Sequence, residues 1–204
     1  MGRASPLPPD ARRQTIIAAT RPLLIASGTQ FTTRQVAEAA GVAEGTIFRV
    51  FESKQDLLTA VIEDALDPAD LCARIRDTPP EPTLAGRVSS LITLLREDIG
   101  AINAMVSALH VTPSCASPTH RGHQPAHQHR ALAVRDALID ALAPFAEQVR
   151  VPLPQAAAVI RAMAMASGHP MLADPDLKDP ATLAEVIVDG IHTTSEESNA
   201  DQAD

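Results

Sequence analysis

The sequence predicts an all-α protein, with a small N-terminal three-helix unit followed by a larger helical unit. Apolar residues recur at helical spacing along nearly the whole chain. Sustained period-two alternation is missing, and so are Asn-Gly and Asp-Gly hairpin turns. Charge then divides the chain. Residues 1–54 carry seven bases and four acids, whereas residues 55–204 carry ten bases and 21 acids. The resulting net charges of +3 and −11 suggest a polyanion-binding head on an acidic body.

Composition bounds the function classes. Apolar residues are 45% of the chain and charged residues 21%, a globular balance. No apolar run approaches the roughly 18 residues of a membrane helix. The opening MGRASPLPPDARRQ has no apolar core of a secretory signal, and Pro6 breaks the myristoylation pattern. Two cysteines, Cys72 and Cys115, make no disulfide framework. These features are those of a soluble, cytoplasmic protein with no cofactor. There is no Trp or Tyr, and three of the four Phe (Phe31, Phe48, Phe51) fall within 21 residues. That is too little material for a base-stacking platform. The three are expected to close a small core.

The first helix is expected over 10–27, with Ile16, Ile17, Leu23 and Leu24 on one side. Pro22 should kink or weaken it, and Gly28 should end it. Thr32-Thr33-Arg34-Gln35 fits a capping box that starts a second helix with Val36, Ala37 and Ala40 inward, ended by Gly41. A third helix spans about 43–51 and carries Ile47, Phe48 and Phe51. Ser53 caps a fourth, which runs to about Leu66 with Leu57, Leu58, Val61 and Ile62 inside, until Asp67-Pro68 interrupts it. A further helical stretch reaches Ile75, and the Pro-rich stretch Thr78–Thr83 reads as a linker and boundary. From Leu84 to Leu109, Val88, Leu91, Leu95, Ile99, Ile102 and Val106 recur at steps of three and four, predicting a long, mostly buried helix. Residues 112–125 read as a loop. A helix follows from Ala126 to about Val149, with Val134, Leu138, Leu142 and Phe145 inside and a kink at Pro144. Another starts near Pro154 and runs to Gly168. Pro170–Pro180 reads as a loop, and 181–192 as a last helix. The tail 193–204 has four acids and no bases and is expected to be disordered.

Two short helices joined at Gly41-Val42 make a helix-turn-helix, in which glycine permits the sharp turn. Ala43, Glu44, Gly45, Thr46 and Arg49 are then the outward residues of its second helix. Gly45 thins that helix so that its backbone can approach DNA. A plain helical hairpin would carry the same pattern. The segment TTRQVAEAAGVAEGTIFRVFESKQDLLTAV, Thr32 to Val61, closely resembles the DNA-binding domain of the TetR/AcrR family of transcriptional regulators. The resemblance rests on Thr32, Val36, Ala37, Ala40, Gly41, Val42, Gly45, Thr46, Ile47, Phe48, Phe51, Ser53, Lys54 and Leu57 at fixed spacing. It implies that Thr33 contacts phosphate and that Arg34 reaches a base edge or phosphate. Ala43, Glu44, Gly45 and Thr46 enter the groove, with Arg49 on the next turn. Phe48 stands where Tyr is usual and Val50 where His is common, so two phosphate contacts are lost. Lys54 binds phosphate, and Arg12, Arg13 and Arg49 can compensate for the losses. Glu44 either accepts from a cytosine amino group or points into solvent.

The resemblance further implies a homodimer that places two recognition helices in successive major grooves of a palindromic operator, with half-sites about 34–36 Å apart. Residues 1–53 would be the helix-turn-helix DNA-binding domain, 1–9 being a flexible arm. Residues 54–192 would form the effector-binding and dimerisation domain, with 54–76 as connecting helix. Ala156, Ala157, Ile160, Met163, Ala164, Val186, Ile187 and Ile191 would meet the partner, unless they cover the monomer's own core. Ile102, Asn103, Val106, His110 and Met163 would line a pocket for an unknown small-molecule effector. His120, His123, His127 and His129 cluster without a metal-binding spacing. A metal-dependent enzyme or sensor built on them stays open, as does a helical interaction protein that has lost DNA binding through Phe48 and Val50.

Overall fold

The computed structural model describes residues 8–109, 124–169 and 174–190. Among these, helices and turns are the regular elements and no strand occurs. The chain forms two compact units. The first comprises residues 1–68 and 100–131, and the second residues 69–99 and 132–204.

In the first unit, α1 (Pro9–Ser27) runs unbroken through Pro22. The Ala18 carbonyl that loses its donor there belongs to an exposed residue, where water can replace it. Gly28, at φ 57°, ends the helix, and a 3-10 turn (Gly28–Gln30) leads to Phe31. The capping box of α2 (Thr33–Ala40) forms as expected. The Thr32 amide donates to Gln35 Oε1 at 2.8 Å, and the Gln35 amide donates to Thr32 Oγ1 at 3.2 Å. Gly41 takes the left-handed conformation (φ 66°, ψ 30°). Its N–H donates to the Glu38 carbonyl at 3.2 Å, and the Val42 N–H donates to Ala37 at 3.0 Å. This is the paired bonding of a Schellman turn. It satisfies the end of α2 and aims the chain into α3 (Glu44–Val50). Ser53 caps α4 (Lys54–Leu66) by accepting from the Asp56 amide at 3.0 Å. Ile16, Ile17, Leu24, Phe31, Val36, Ala37, Ile47, Phe51, Leu57, Leu58, Ala60, Val61 and Met105 form one buried cluster. Phe48 is not part of it. It lies one helical step from Ile47, faces outward, and is 57% exposed. Only Phe31 and Phe51 close the core.

The second unit is built on α5 (Ala69–Arg76), α6 (Leu84–Ala108), α7 (Gln124–Leu142), α8 (Leu153–Gly168) and α9 (Pro180–Asp189). Residues of α6 from Gly100 onward, and of α7 up to Ala131, belong to the first unit. The Pro-rich stretch 78–83 lies inside the second unit, so the division falls after Pro68 instead. Leu84, Val88, Leu91, Ile92 and Leu95 of α6 are buried, but Ile99, Ile102, Val106 and Leu109 are only half-buried. At Pro144 the chain tightens rather than bends: α7 stops at Leu142 and a 3-10 turn covers Ala143–Gln148. Ala157, Ile160 and Ala164 pack with Leu138, Leu142 and Leu183 and are at most 2% exposed. They therefore serve the unit's own core and have no surface to offer a partner, which corrects their assignment to a dimer face. Two arginines work inside this unit. Arg87 Nε donates to the Ala141 carbonyl at 3.1 Å. Arg96 donates to Ser167 Oγ at 2.9 Å and to the Leu177 and Lys178 carbonyls at 2.5 and 2.6 Å. Burial pushes the Arg96 guanidinium below its usual pKa, and the Asp179 carboxylate opposes that shift.

His110, Cys115, His120, His123, Ile191, most of the 112–125 loop, most of the N-terminal arm and the 193–204 tail lie outside the described residues.

No atom outside its own neighbours lies within 4 Å of a Cβ built on Gly41, so its cost would be purely backbone strain. Gly41→Ala is expected to lower stability by about 1–2 kcal/mol, read from urea unfolding. An unchanged midpoint would remove the turn from the account.

Candidate nucleic-acid interface

The interface is assembled on α3. Helix α3 gives only Ile47 fully to the core, at 2% exposure. Ala43, Glu44, Gly45, Phe48 and Arg49 are exposed, and Thr46 is half-buried. Arg49 makes no hydrogen bond or ion pair among the described residues. Val50 is half-buried against the head core, so its apolar side chain packs at a position where the resemblance has His more commonly. Gly45 has an ordinary backbone, and a Cβ there would meet nothing within 4 Å. The fold thus does not require glycine at this position.

Several of the sequence-derived contacts are engaged within the protein. The Thr33 hydroxyl donates to Glu44 Oε1 at 2.7 Å, joining the start of α2 to the start of α3. Glu44 is therefore held by Thr33 rather than loose in solvent. Arg34 Nε donates to Glu38 at 3.0 Å, with both side chains more than half exposed. Such a pair is weak in water, and the guanidinium is easily recruited elsewhere. Lys54 departs most from expectation. Its ammonium donates to the carbonyls of Thr29 and Phe31 at 2.6 and 2.5 Å, and lies 4.4 Å from the Phe31 ring centroid. It clamps the start of α4 to the corner between α1 and α2, which leaves one N–H for phosphate. Arg13 lies over the Phe51 ring at 4.6 Å. The Lys54 and Arg13 contacts had no sequence signal, because they depend on where Phe31 and Phe51 meet in space.

The sequence-proposed effector residues do not assemble in one unit. Ile102, Asn103 and Val106 are half-buried on the part of α6 that belongs to the first unit, while Met163 is half-buried in the second. A cleft of about 570 Å³ opens in the second unit between the start of α6, the 3-10 turn after α7, the start of α8 and the end of α9. Leu84, Val88, Leu142, Val149, Ile160 and Ile187 wall it, and Arg150 is the one charged residue in its lining. None of the sequence-proposed effector residues lines it. Among the described residues, no three of His, Cys, Asp and Glu converge on a metal-sized site, and no helix is long and apolar enough to cross a membrane.

Residues 16–61 match the family model described as bacterial regulatory proteins, tetR family. A sequence comparison with curated proteins gave no match. Solved structures are similar over most of the chain. A TetR transcriptional regulator from Streptomyces coelicolor is 22% identical, with 90% of this chain and 99% of that chain covered and a TM-score of 0.54. The regulator FadR from Bacillus subtilis, solved with stearoyl-CoA, is 19% identical, with 88% and 99% covered and a TM-score of 0.52. The fatty acid degradation regulator FadR from Bacillus halodurans is 15% identical, with 89% and 96% covered and a TM-score of 0.54. At these identities the likeness is one of fold: an all-α architecture with an N-terminal helix-turn-helix.

A glycine that the fold does not need separates stability from binding. Gly45→Ala is expected to leave stability unchanged or raise it by up to about 1 kcal/mol, while weakening binding to duplex DNA. Paired melting curves and anisotropy titrations check this. Tight binding by a stabilised variant would show that no partner approaches the backbone there.

Proposed function

We propose, for a chain whose residues 16–61 match the model of the tetR family of bacterial regulatory proteins, that it is a DNA-binding transcriptional regulator: a repressor released from a palindromic operator by a small-molecule effector. The observation that carries this reading is the division of α3, with Ile47 buried and Glu44, Gly45, Phe48 and Arg49 left outside. A seven-residue helix is far below the roughly 12–15 residues that hold a helix in isolation. It is kept by the Gly41 turn and the head core, and its outward face is free for a groove.

The outer side of α8 supports a homodimer. Ala158, Val159, Ala162, Met165 and Ala166 are all exposed and recur at steps of three and four. Val159 and Met165 are 48% and 50% exposed, and Val186 on α9 is 46% exposed. This stripe takes over from the buried Ala157, Ile160 and Ala164, while Ala156, Met163 and Ile187 border it half-buried. Alanines let two helices approach closely. For the effector, the 570 Å³ cleft falls within the roughly 300–1,000 Å³ of small-molecule sites, and it is favoured over Ile102, Asn103, Val106, His110 and Met163. Its apolar walls with a single guanidinium suit an apolar ligand bearing an anionic group.

Genome-wide footprinting should give discrete two-fold symmetric sites. A footprint without discrete sites favours the interaction-protein reading suggested by Phe48 and Val50, and stoichiometric metal in the purified protein favours an enzyme or sensor. Val159→Asp with Met165→Asp should convert a dimer to a monomer in sedimentation. Operator affinity should fall by about 10²–10⁴-fold, the gain that linking two heads provides. A double variant that stays dimeric removes this face from the interface.

A further inference from the structure

We propose that Glu44, oriented by Thr33, specifies a cytosine in each half-site of the operator. The inference rests on the DNA-binding reading above and names what one of its side chains recognises. Glu44 is an exposed carboxylate at the start of α3, beside a glycine whose Cβ position is open to solvent. Placing an acidic side chain against a polyanion is unfavourable unless a base donates to it. The Thr33 hydroxyl donates to Oε1 at 2.7 Å. That bond fixes the direction of the carboxylate and leaves Oε2 to accept from outside. It also occupies the only proton of the hydroxyl, so Thr33 acts here as a positioning residue and meets phosphate, if at all, through its backbone amide.

The edges of the bases then decide the partner. An ionised carboxylate accepts and does not donate. Guanine offers O6 and N7 to the major groove and thymine offers O4, all of them acceptors, so both repel it. Adenine offers an amino group, but its N7 acceptor stands beside it. The amino group of cytosine has no acceptor next to it on its own base. In the duplex the cytosine amino group is flanked by one acceptor, O6 of its paired guanine, and that of adenine by two, its own N7 and the paired thymine O4, so cytosine gives Glu44 the least opposed donor. A two-fold dimer repeats the contact, so the preference appears once in each half-site.

The test selects bound sequences from a randomised duplex library with the full-length protein, its Glu44→Ala and Glu44→Gln variants, and Thr33→Val and Thr33→Ser. The parent should prefer cytosine at one position per half-site by about five-fold, the lower end of the range for bidentate base contacts, because Oε2 alone is left to accept. Glu44→Ala should flatten that position alone and strengthen non-specific binding, because it removes a negative charge. Glu44→Gln should shift the preference towards adenine, which a carboxamide reads through N6 and N7. Thr33→Val should blunt the cytosine preference, and Thr33→Ser, which keeps the hydroxyl, should retain it. If the parent selects a site and Glu44→Ala selects the same one with an unchanged profile, the assignment of Glu44 is overturned while the DNA-binding reading stands. If the parent selects no sequence at all, both fall.

Discussion

The left-handed backbone at Gly41 is the constraint on which the interface depends. Helices α2 and α3 have eight and seven residues, and neither would persist in water alone. The turn satisfies the end of α2 through two backbone bonds, and it sets α3 so that one side chain, Ile47, reaches the core cleanly. Because Ile47, with half-buried Val50 beside it, suffices as anchor, the face carrying Glu44, Gly45, Phe48 and Arg49 is released from packing. A longer turn would let α3 rock about Ile47, and the exposed residues would then share no fixed direction.

Local chemistry was legible in the sequence wherever a signal is complete within a few residues. The Thr32–Gln35 capping box, the Ser53 cap, and the glycines at 28 and 41 needed no knowledge of the rest of the fold. Periodicity found the helices but not their outer and inner faces. Phe48 was grouped with Phe31 and Phe51 by proximity along the chain, and one helical step places it outside. Ala157, Ile160 and Ala164 form an apolar stripe that would fit a core or an interface equally well. Only the presence of Leu138, Leu142 and Leu183 against them settles it. Lys54 was harder still. A lysine at a helix start says nothing about two carbonyls 23 and 25 residues earlier.

Formal charge proves a poor guide to what the head offers a polyanion. Arg21 is tied to Asp64 at 2.5 Å, Lys54 is clamped on carbonyls, and Arg13 lies over Phe51. Arg34 shares Glu38 in a pair that water weakens. Among the described residues of the head, the cation most plainly free to act outward is Arg49 on α3 itself. The acidic remainder of the chain repels nucleic acid non-specifically, so attraction is confined to a small patch. Affinity in such a molecule must come from geometry more than from total charge.

That economy bears on control. An effector changes affinity only by its differential binding to two states, commonly worth about 1–3 kcal/mol. Against a head that gripped DNA through many phosphates, a change of this size would leave the operator occupied. Here Phe48 and Val50 offer no phosphate hydrogen bond, and Lys54 has one donor left. On the proposed dimeric reading, each head alone is then a modest binder, and occupancy depends on two heads engaging together. The second head acts at a high effective concentration only while its spacing fits the groove, so a small loss of fit removes most of that advantage. Weak single heads, on this argument, are what allow a few kcal/mol of coupling to empty the operator.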